Sequence, residues 1–402
     1  MRHTFIKTLA TAALSLALAA QAQDAVRPEV GKPLQAAGEL IRAQRYKEAL
    51  AKVREADAAG ARNANETFLI ERMRIAAASG AGDTETAAKS FEAISSRVSA
   101  AERLKMIESL AGAYYRAGKY GQAQQWGQRY FKEGGTSGAI RTLLIQSQYL
   151  SGDFQGAARE LTTEIQQAER AGNAPGEDRL KLLVNAALKL NDTNTYVYAL
   201  ERLVTYYPKK EYWVDLLARL QRKPSFSDRL ALDTYRLGLA TGTISKPNDY
   251  MEMAQLALQA GFPAEARQVM DKGYEAKVLG QGAEAERHKR LQDLIAKKIE
   301  EEKAGRDAAI AEAQAAKDGT ALVNVGMNLV FAGEKQKGLQ LMQQGLAKGH
   351  LKREQDARLH YAVAQLMAGE NGKVQATLKQ VGGNDGTADL ARLWALYAKR
   401  KG

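Results

Sequence analysis

Apolar side chains recur along this chain at spacings of three and four, the repeat that lays one stripe along an α-helix. Leu104, Ile107, Leu110, Ala111 and Tyr114 form one such stripe, and Leu143, Leu144 and Leu150 belong to the next. Alternation of apolar and polar positions rich in β-branched residues, which would mark half-buried strands, is scarce. No proline interrupts Leu34 to Ala174, where Ala, Leu, Glu, Gln, Arg and Lys dominate, all strong helix formers. The pattern predicts an all-α chain.

A short phrase punctuates these stripes and returns. Leu110-Ala111-x-x-Tyr114-x-x-x-Gly118-x-Tyr120-x-x-Ala123 is followed by Gly152-x-Phe154-x-x-Ala157, with the Gly, the aromatic and the Ala each displaced by 34 residues. The phrase also occurs as Tyr46-Lys47-Glu48-Ala49, as Gly82 with Ala87 and Phe91, and as Gly261-Phe262-Pro263-Ala264-Glu265-Ala266. It returns as Gly333 with Gly338 and as Gly369. Ala49 to Ala87 is 38 residues, and both Ala87 to Ala123 and Gly333 to Gly369 are 36. Periods of this size belong to stacked helical hairpins. A glycine ends the first helix because its left-handed cap carries no Cβ penalty. An aromatic two residues later fills the angle between the helices, and a small residue three further on lets the second helix approach the first. A single hairpin cannot bury its apolar side, so neighbours must stack.

At these residues the chain resembles the tetratricopeptide repeat family. The resemblance implies a right-handed superhelical solenoid of helix-turn-helix repeats over 34–402, clearest over 34–168, 248–279 and 320–380. Residues 180–247 are irregular: Asn191-Asp192-Thr193-Asn194 puts polar residues where Gly is expected, and Ile107, Arg141 and Leu322 stand where the family has an aromatic early in the first helix. The charged stretch 284–317, with a narrow stripe of Leu291, Leu294, Ile295, Ile299 and Ile310, reads as a pair of helices broken at Gly305. Gly382 to Gly386 reads as a flexible turn before a C-terminal helix, 388–399, whose Leu390, Leu393, Trp394 and Tyr397 cap the last apolar face.

The N-terminus speaks to compartment. Arg2, His3 and Lys7 precede an apolar and small run, Leu9 to Ala20, that ends in Ala20-Gln21-Ala22. This is the layout of a secretory signal peptide, 1–22, cleaved before Gln23, with 23–33 left as a flexible leading segment. A helix of that run would rise only ~18 Å, short of a ~30 Å hydrocarbon core. No Cys follows to take a lipid. The expected location is the periplasm. The formal charge is +12, and removal of the leader takes Arg2 and Lys7 with it. In an exported protein this excess directs attention to an anionic envelope component or an acidic protein rather than to nucleic acid, and a solvated basic surface accounts for it equally well.

The search for chemistry returns little. With no Cys there is no thiol nucleophile, disulfide, thiolate zinc site or attached haem. The four histidines form no H-E-x-x-H, and His288 and His360 read as packing or surface residues. Gly369-Glu370-Asn371-Gly372-Lys373-Val374 has the wrong spacing for a phosphate loop, and Gly80-Ala81-Gly82 lacks the third glycine of a dinucleotide fingerprint. Soluble lytic transglycosylases pair Glu-Ser with a nearby Gly-Leu-Met-Gln. Here Glu108-Ser109 stands 230 residues from Gly338-Leu339-Gln340-Leu341-Met342-Gln343, so the pairing is rejected. The expectation is a non-enzymatic protein without cofactor or metal.

Tetratricopeptide solenoids hold peptides or partner helices on the concave surface made by their first helices. Carried onto this chain, that implies Arg42, Lys105, Glu108, Tyr115, Arg116, Gln146, Tyr149, Gln255 and Gln259 as partner-binding positions. Tyr115, Arg116 and Tyr149 are the preferred anchors, because flat, rigid side chains give contact area at modest entropy cost. Glu108, Thr142 and Gln146 replace the Lys, Asn and Arg with which some family members clamp a C-terminal carboxylate, which excludes that clamp. A second candidate is the aromatic run Tyr196, Tyr198, Tyr206, Tyr207, Tyr212 and Trp213 around Pro208-Lys209-Lys210, which could grip a polysaccharide or an acidic partner, or fill an irregular junction between repeats. The reading is an exported scaffold for protein–protein interaction in the cell envelope. The alternative is an envelope polysaccharide or peptidoglycan binding or processing protein with an α-superhelical domain.

Overall fold

The computed structural model describes residues 26–400. The signal peptide and its cleavage positions Ala20, Ala22 and Gln23 lie outside the described residues. Within them are twenty α-helices and no strand, in two compact units that divide between Glu160 and Leu161. The first holds α1 (Pro28–Arg42), α2 (Tyr46–Asp57), α3 (Ala64–Ala81), α4 (Thr84–Ile94), α5 (Ala100–Arg116), α6 (Tyr120–Lys132) and α7 (Gly138–Ser151). The division falls inside α8 (Phe154–Arg170). The second unit continues with α9 (Glu177–Leu190), α10 (Thr193–Tyr206), α11 (Lys210–Gln221), α12 (Ala231–Thr241), α13 (Pro247–Gln259) and α14 (Pro263–Glu275). It ends with α15 (Ala285–Ala315), α16 (Thr320–Phe331), α17 (Lys335–Lys348), α18 (Glu354–Ala368), α19 (Asn371–Leu378) and α20 (Thr387–Ala398).

In the first unit the recurring phrase does what its chemistry requires. Gly82, Gly118 and Gly152 turn the corner with φ of 79°, 73° and 87°, and Ala49, Ala87, Ala123 and Ala157 are fully buried where the second helix meets its neighbours. The first helices α1, α3, α5 and α7 touch in that order, and α2, α4 and α6 each pack on the first helix that follows. The first hairpin has no glycine, so Gln44 takes the left-handed position at φ 58°. In the second unit Asn191 does the same at φ 54°, a conformation that Asn tolerates well, which is why that polar turn needs no glycine.

Residues 28–33, expected to be flexible, are helical. Pro28 opens α1 at its first position, where the missing N–H is not needed, and Val30 is fully buried. Arg27 fastens this start to α3: its Nε and backbone N–H donate to Glu66 Oε1 at 2.9 and 3.0 Å, and its Nη2 donates to Oε2 at 3.0 Å. These bonds hold the Glu66 carboxyl down at about 2.

The expected break at Gly305 is also absent, since α15 runs unbroken for 31 residues. Open space surrounds Gly305, so the glycine costs only about 1 kcal/mol of helix propensity. Arg306 offsets it, pairing with Glu302 at 2.7 Å on its own helix and with Glu334 beyond it.

The second unit departs from a row in which only neighbours touch. Its hairpins α13–α14, α16–α17 and α18–α19 form where the phrase is clear, and α9–α10 forms within the stretch where it is irregular. The tightest is α16–α17, where a Cβ placed on Gly338 would stand 2.5 Å from the Gly326 carbonyl oxygen. The last helix, however, packs on α10 and α12 as well as on α18 and α19, so the unit closes on itself. The turn before α20 is not flexible either: the Ser227 N–H donates to the Asp385 carbonyl at 2.9 Å, and Gly386, at φ 104°, lies against the Phe226 ring.

Candidate functional site

The partner-binding residues inferred from the sequence divide between the two units. In the first, α5 carries Lys105, Glu108, Tyr115 and Arg116, and α7 carries Gln146 and Tyr149. Lys105, Arg116 and Gln146 are exposed, whereas Glu108, Tyr115 and Tyr149 are half-buried. The structure brings two of them into contact: the Tyr115 hydroxyl donates to Gln146 Oε1 at 3.0 Å, linking successive first helices. Each anchor tyrosine also leans on the aromatic of its own hairpin turn, Tyr115 on Tyr120 at 5.5 Å between ring centroids and Tyr149 on Phe154 at 5.2 Å, both edge to face. One side of each ring is therefore committed to packing against the turn. Beside Tyr149, Leu150 stays half exposed. Burial pushes the Glu108 carboxyl and the Tyr115 hydroxyl above their ordinary ranges, with Tyr120 adding to the latter.

Arg42 is exposed at the end of α1, two first helices before α5. Gln255 and Gln259 are exposed on α13 in the second unit. Arg42 shares no described contact with the Tyr115–Gln146 pair.

The aromatic run of the second unit is turned inward. Trp213 and Tyr196 are buried, the Tyr198 ring lies under the Arg202 guanidinium at 3.6 Å, and the other three bond their hydroxyls within the unit. Tyr207 donates to the Pro175 carbonyl at 2.8 Å and Tyr206 to Glu169 at 3.2 Å, while Tyr212 bonds Glu177. Lys209 joins Glu177 at 2.6 Å, and its bond together with that of Tyr212 draws the Glu177 carboxyl down to about 2. The residues that could have gripped a saccharide fill a junction between hairpins.

Two polar clusters in this unit escaped the sequence reading. Arg236 on α12 is almost fully buried and forks onto Glu265 of α14 at 2.6 and 2.7 Å, while its Nη1 donates to Asp233 at 2.8 Å. Asp233 also faces His360 Nε2 of α18 at 2.9 Å. Burial works to raise the Asp233 carboxyl, but His360 and Arg236 outweigh it and hold it well below the usual range. The Phe262 and Phe331 rings flank the guanidinium at 5.2 and 5.7 Å. A signal did exist: Asp233 and Arg236 lie three apart, on the same helix as Leu232 and Leu237, which places an acid and a base among apolar residues. The second cluster fastens the closure. Arg229 donates to Asp356 at 2.8 and 3.1 Å and to Asp385 at 2.7 Å, Lys223 meets Asp389 at 2.8 Å, and Arg392 meets Glu201 at 3.0 Å. Among the described residues no group of three or more His, Asp or Glu side chains could hold a metal ion, and no helix is long and apolar enough to cross a membrane.

The turns, the buried small residues and the hairpin order together define the architecture. Among the described residues the chain is an all-helical array of helix-turn-helix hairpins. Among solved structures it is similar to the crystal structure of yeast Tom70, at 10% identity over 92% of this chain and 96% of that one, with a TM-score of 0.25. It is also similar to the crystal structure of the P58(IPK) TPR domain, at 12% identity over 92% of this chain and 98% of that one, with a TM-score of 0.20. No family model and no curated protein matches.

Proposed function

We propose that this protein is an exported, periplasmic, non-enzymatic scaffold that binds another protein or peptide through the face made by α5 and α7, the concave side in the tetratricopeptide reading. The observation that carries the proposal is the hydrogen bond from Tyr115 to Gln146. It joins adjacent first helices into one preorganised surface, edged by exposed Lys105 and Arg116 and by half-exposed Leu150. Rigid aromatic anchors beside an open aliphatic residue and a basic rim suit an extended peptide with an apolar and an acidic side chain, since little rotamer entropy remains to be lost on binding. Export rests on the leader pattern that ends at Ala22. The polysaccharide alternative loses support because Tyr206, Tyr207 and Tyr212 are committed to Glu169, Pro175 and Glu177 and Tyr196 and Trp213 are buried.

The test is capture from envelope extract with the mature chain as bait. Tyr115→Ala combined with Arg116→Glu should abolish the capture of a specific protein while circular dichroism stays unchanged. Capture that survives the double variant refutes the assignment to this face. The N-terminal sequence of the protein recovered from the periplasmic fraction should begin at Gln23.

A further inference from the structure

An open cleft of about 390 Å³ lies in the second unit, between the start of α13 and the segment that joins α14 to α15. That volume is within the range of small-molecule sites. Its wall includes Lys246, Pro247, Val278, Ala283, Glu284 and His288. His288 is the unusual member, because only 3% of it is exposed. The Gly280 backbone N–H donates to His288 Nδ1 at 3.1 Å, so the neutral ring carries its proton on Nε2. Nε2 makes no hydrogen bond or ion pair among the described residues, and His288 forms part of the cleft wall. The ring is thus fixed through Nδ1, with its one donor unused at the wall of the cleft.

Lys246 adds a second donor from the exposed side, with no carboxylate within ion-pair distance among the described residues. The N-terminus of α13 adds little, since the Asp249 carboxylate already accepts from the Lys246 N–H at 3.2 Å. Glu284 limits the charge a ligand can bring. Its pairing with Arg287 at 3.3 Å is exposed and therefore weak, so a dianion would meet a repelling carboxylate. Lys246 and His288 as donors, with the Asn248 and Gln281 amides beside them, an aliphatic wall of Pro247, Val278 and Ala283, and a neighbouring negative charge suit a single planar anion on an apolar stem. We propose that this cleft binds a small organic monocarboxylate, its carboxylate held between Lys246 and His288 Nε2–H.

The probe is isovalerate, titrated into the full mature chain and followed by proton–nitrogen NMR of the histidine rings. Isovaleramide and isobutyl phosphate serve as the neutral and dianionic comparisons. Isovalerate should shift the His288 Nε2 resonance saturably and bind at least about tenfold more tightly than either comparison. Lys246→Met should weaken it by about tenfold or more. His288→Asn keeps an acceptor for the Gly280 N–H but removes the far donor, and should weaken it similarly with an unchanged circular dichroism spectrum. If that variant does not fold, the exposed Lys246→Met decides the matter. Absence of saturable isovalerate binding, equal binding of the amide, tighter binding of the phosphate ester, or unchanged affinity in Lys246→Met overturns the proposal.

Discussion

Arg236→Met should be among the most destabilising single changes in the second unit. Methionine has similar length and no charge, so the substitution removes the guanidinium while largely preserving volume. Glu265, 2% exposed, loses both of its bonds, and Asp233 retains only His360. Removing one partner of a buried ion pair costs about 3–5 kcal/mol, because the remaining charge stays desolvated without compensation. The lost contacts to Phe262 and Phe331 add about 0.5–1 kcal/mol. A loss of about 4 kcal/mol, with a urea m-value of about 3 kcal/mol/M, lowers the unfolding midpoint by more than about 1 M. Circular dichroism at neutral pH reads this directly. The decisive comparison is Arg236→Met/Glu265→Leu. If an unpaired buried carboxylate is the cause, replacing it by an apolar side chain should recover at least about 2 kcal/mol relative to the single variant. A single variant within about 1 kcal/mol of the parent, or a double variant no more stable than the single, would refute the reasoning.

Four further outcomes are expected. Glu66 and Glu177, drawn down to about 2, and Asp233, held below its usual range, have folded pKa values below their unfolded ones. Their stabilisation is complete above about pH 4.3 and is lost as pH falls through the folded values; an unfolding midpoint unchanged from pH 6 to pH 2.5 would contradict this. Gly338→Ala places a methyl 2.5 Å from the Gly326 carbonyl oxygen and should cost about 1–3 kcal/mol in urea unfolding. Gln44→Gly relieves a left-handed residue at φ 58° and should raise stability by about 0.5–1 kcal/mol. Arg229→Met frees the turn before α20, so hydrogen exchange should quicken across Thr387–Ala398 and leave α16 and α17 protected.

The hairpins were legible because their cause is local and repeated. A glycine, an aromatic and an alanine at fixed offsets each answer a steric demand of the same turn, so one phrase, seen at Gly118 and again at Gly152, predicts the next. Where a different residue met the same demand, as Gln44 and Asn191 do at positive φ, the phrase weakened without the fold changing. Gly305 misled for the opposite reason. A glycine on a solvated face costs little, and flanking charges such as Lys298–Glu301 and Arg306–Glu302 carry the helix across it. The closure of the second unit left no periodic trace at all. Arg229 reaches Asp356 across 127 residues and Lys223 reaches Asp389 across 166. Each contact depends on one charged side chain that, in the sequence, is indistinguishable from dozens of solvated ones. Hairpin stacking alone therefore does not specify the second unit, because nothing in an open row brings α20 to α10 and α12. The charges that do so are only partly exposed and cooperate around one turn, so the last helix should dock as a step separable from hairpin stacking. In that case Arg229→Met would expose Trp394 and Leu390, now buried, to solvent before any hairpin opens. Tryptophan fluorescence that shifts red together with the helical signal, rather than ahead of it, would show instead that docking and stacking are one event.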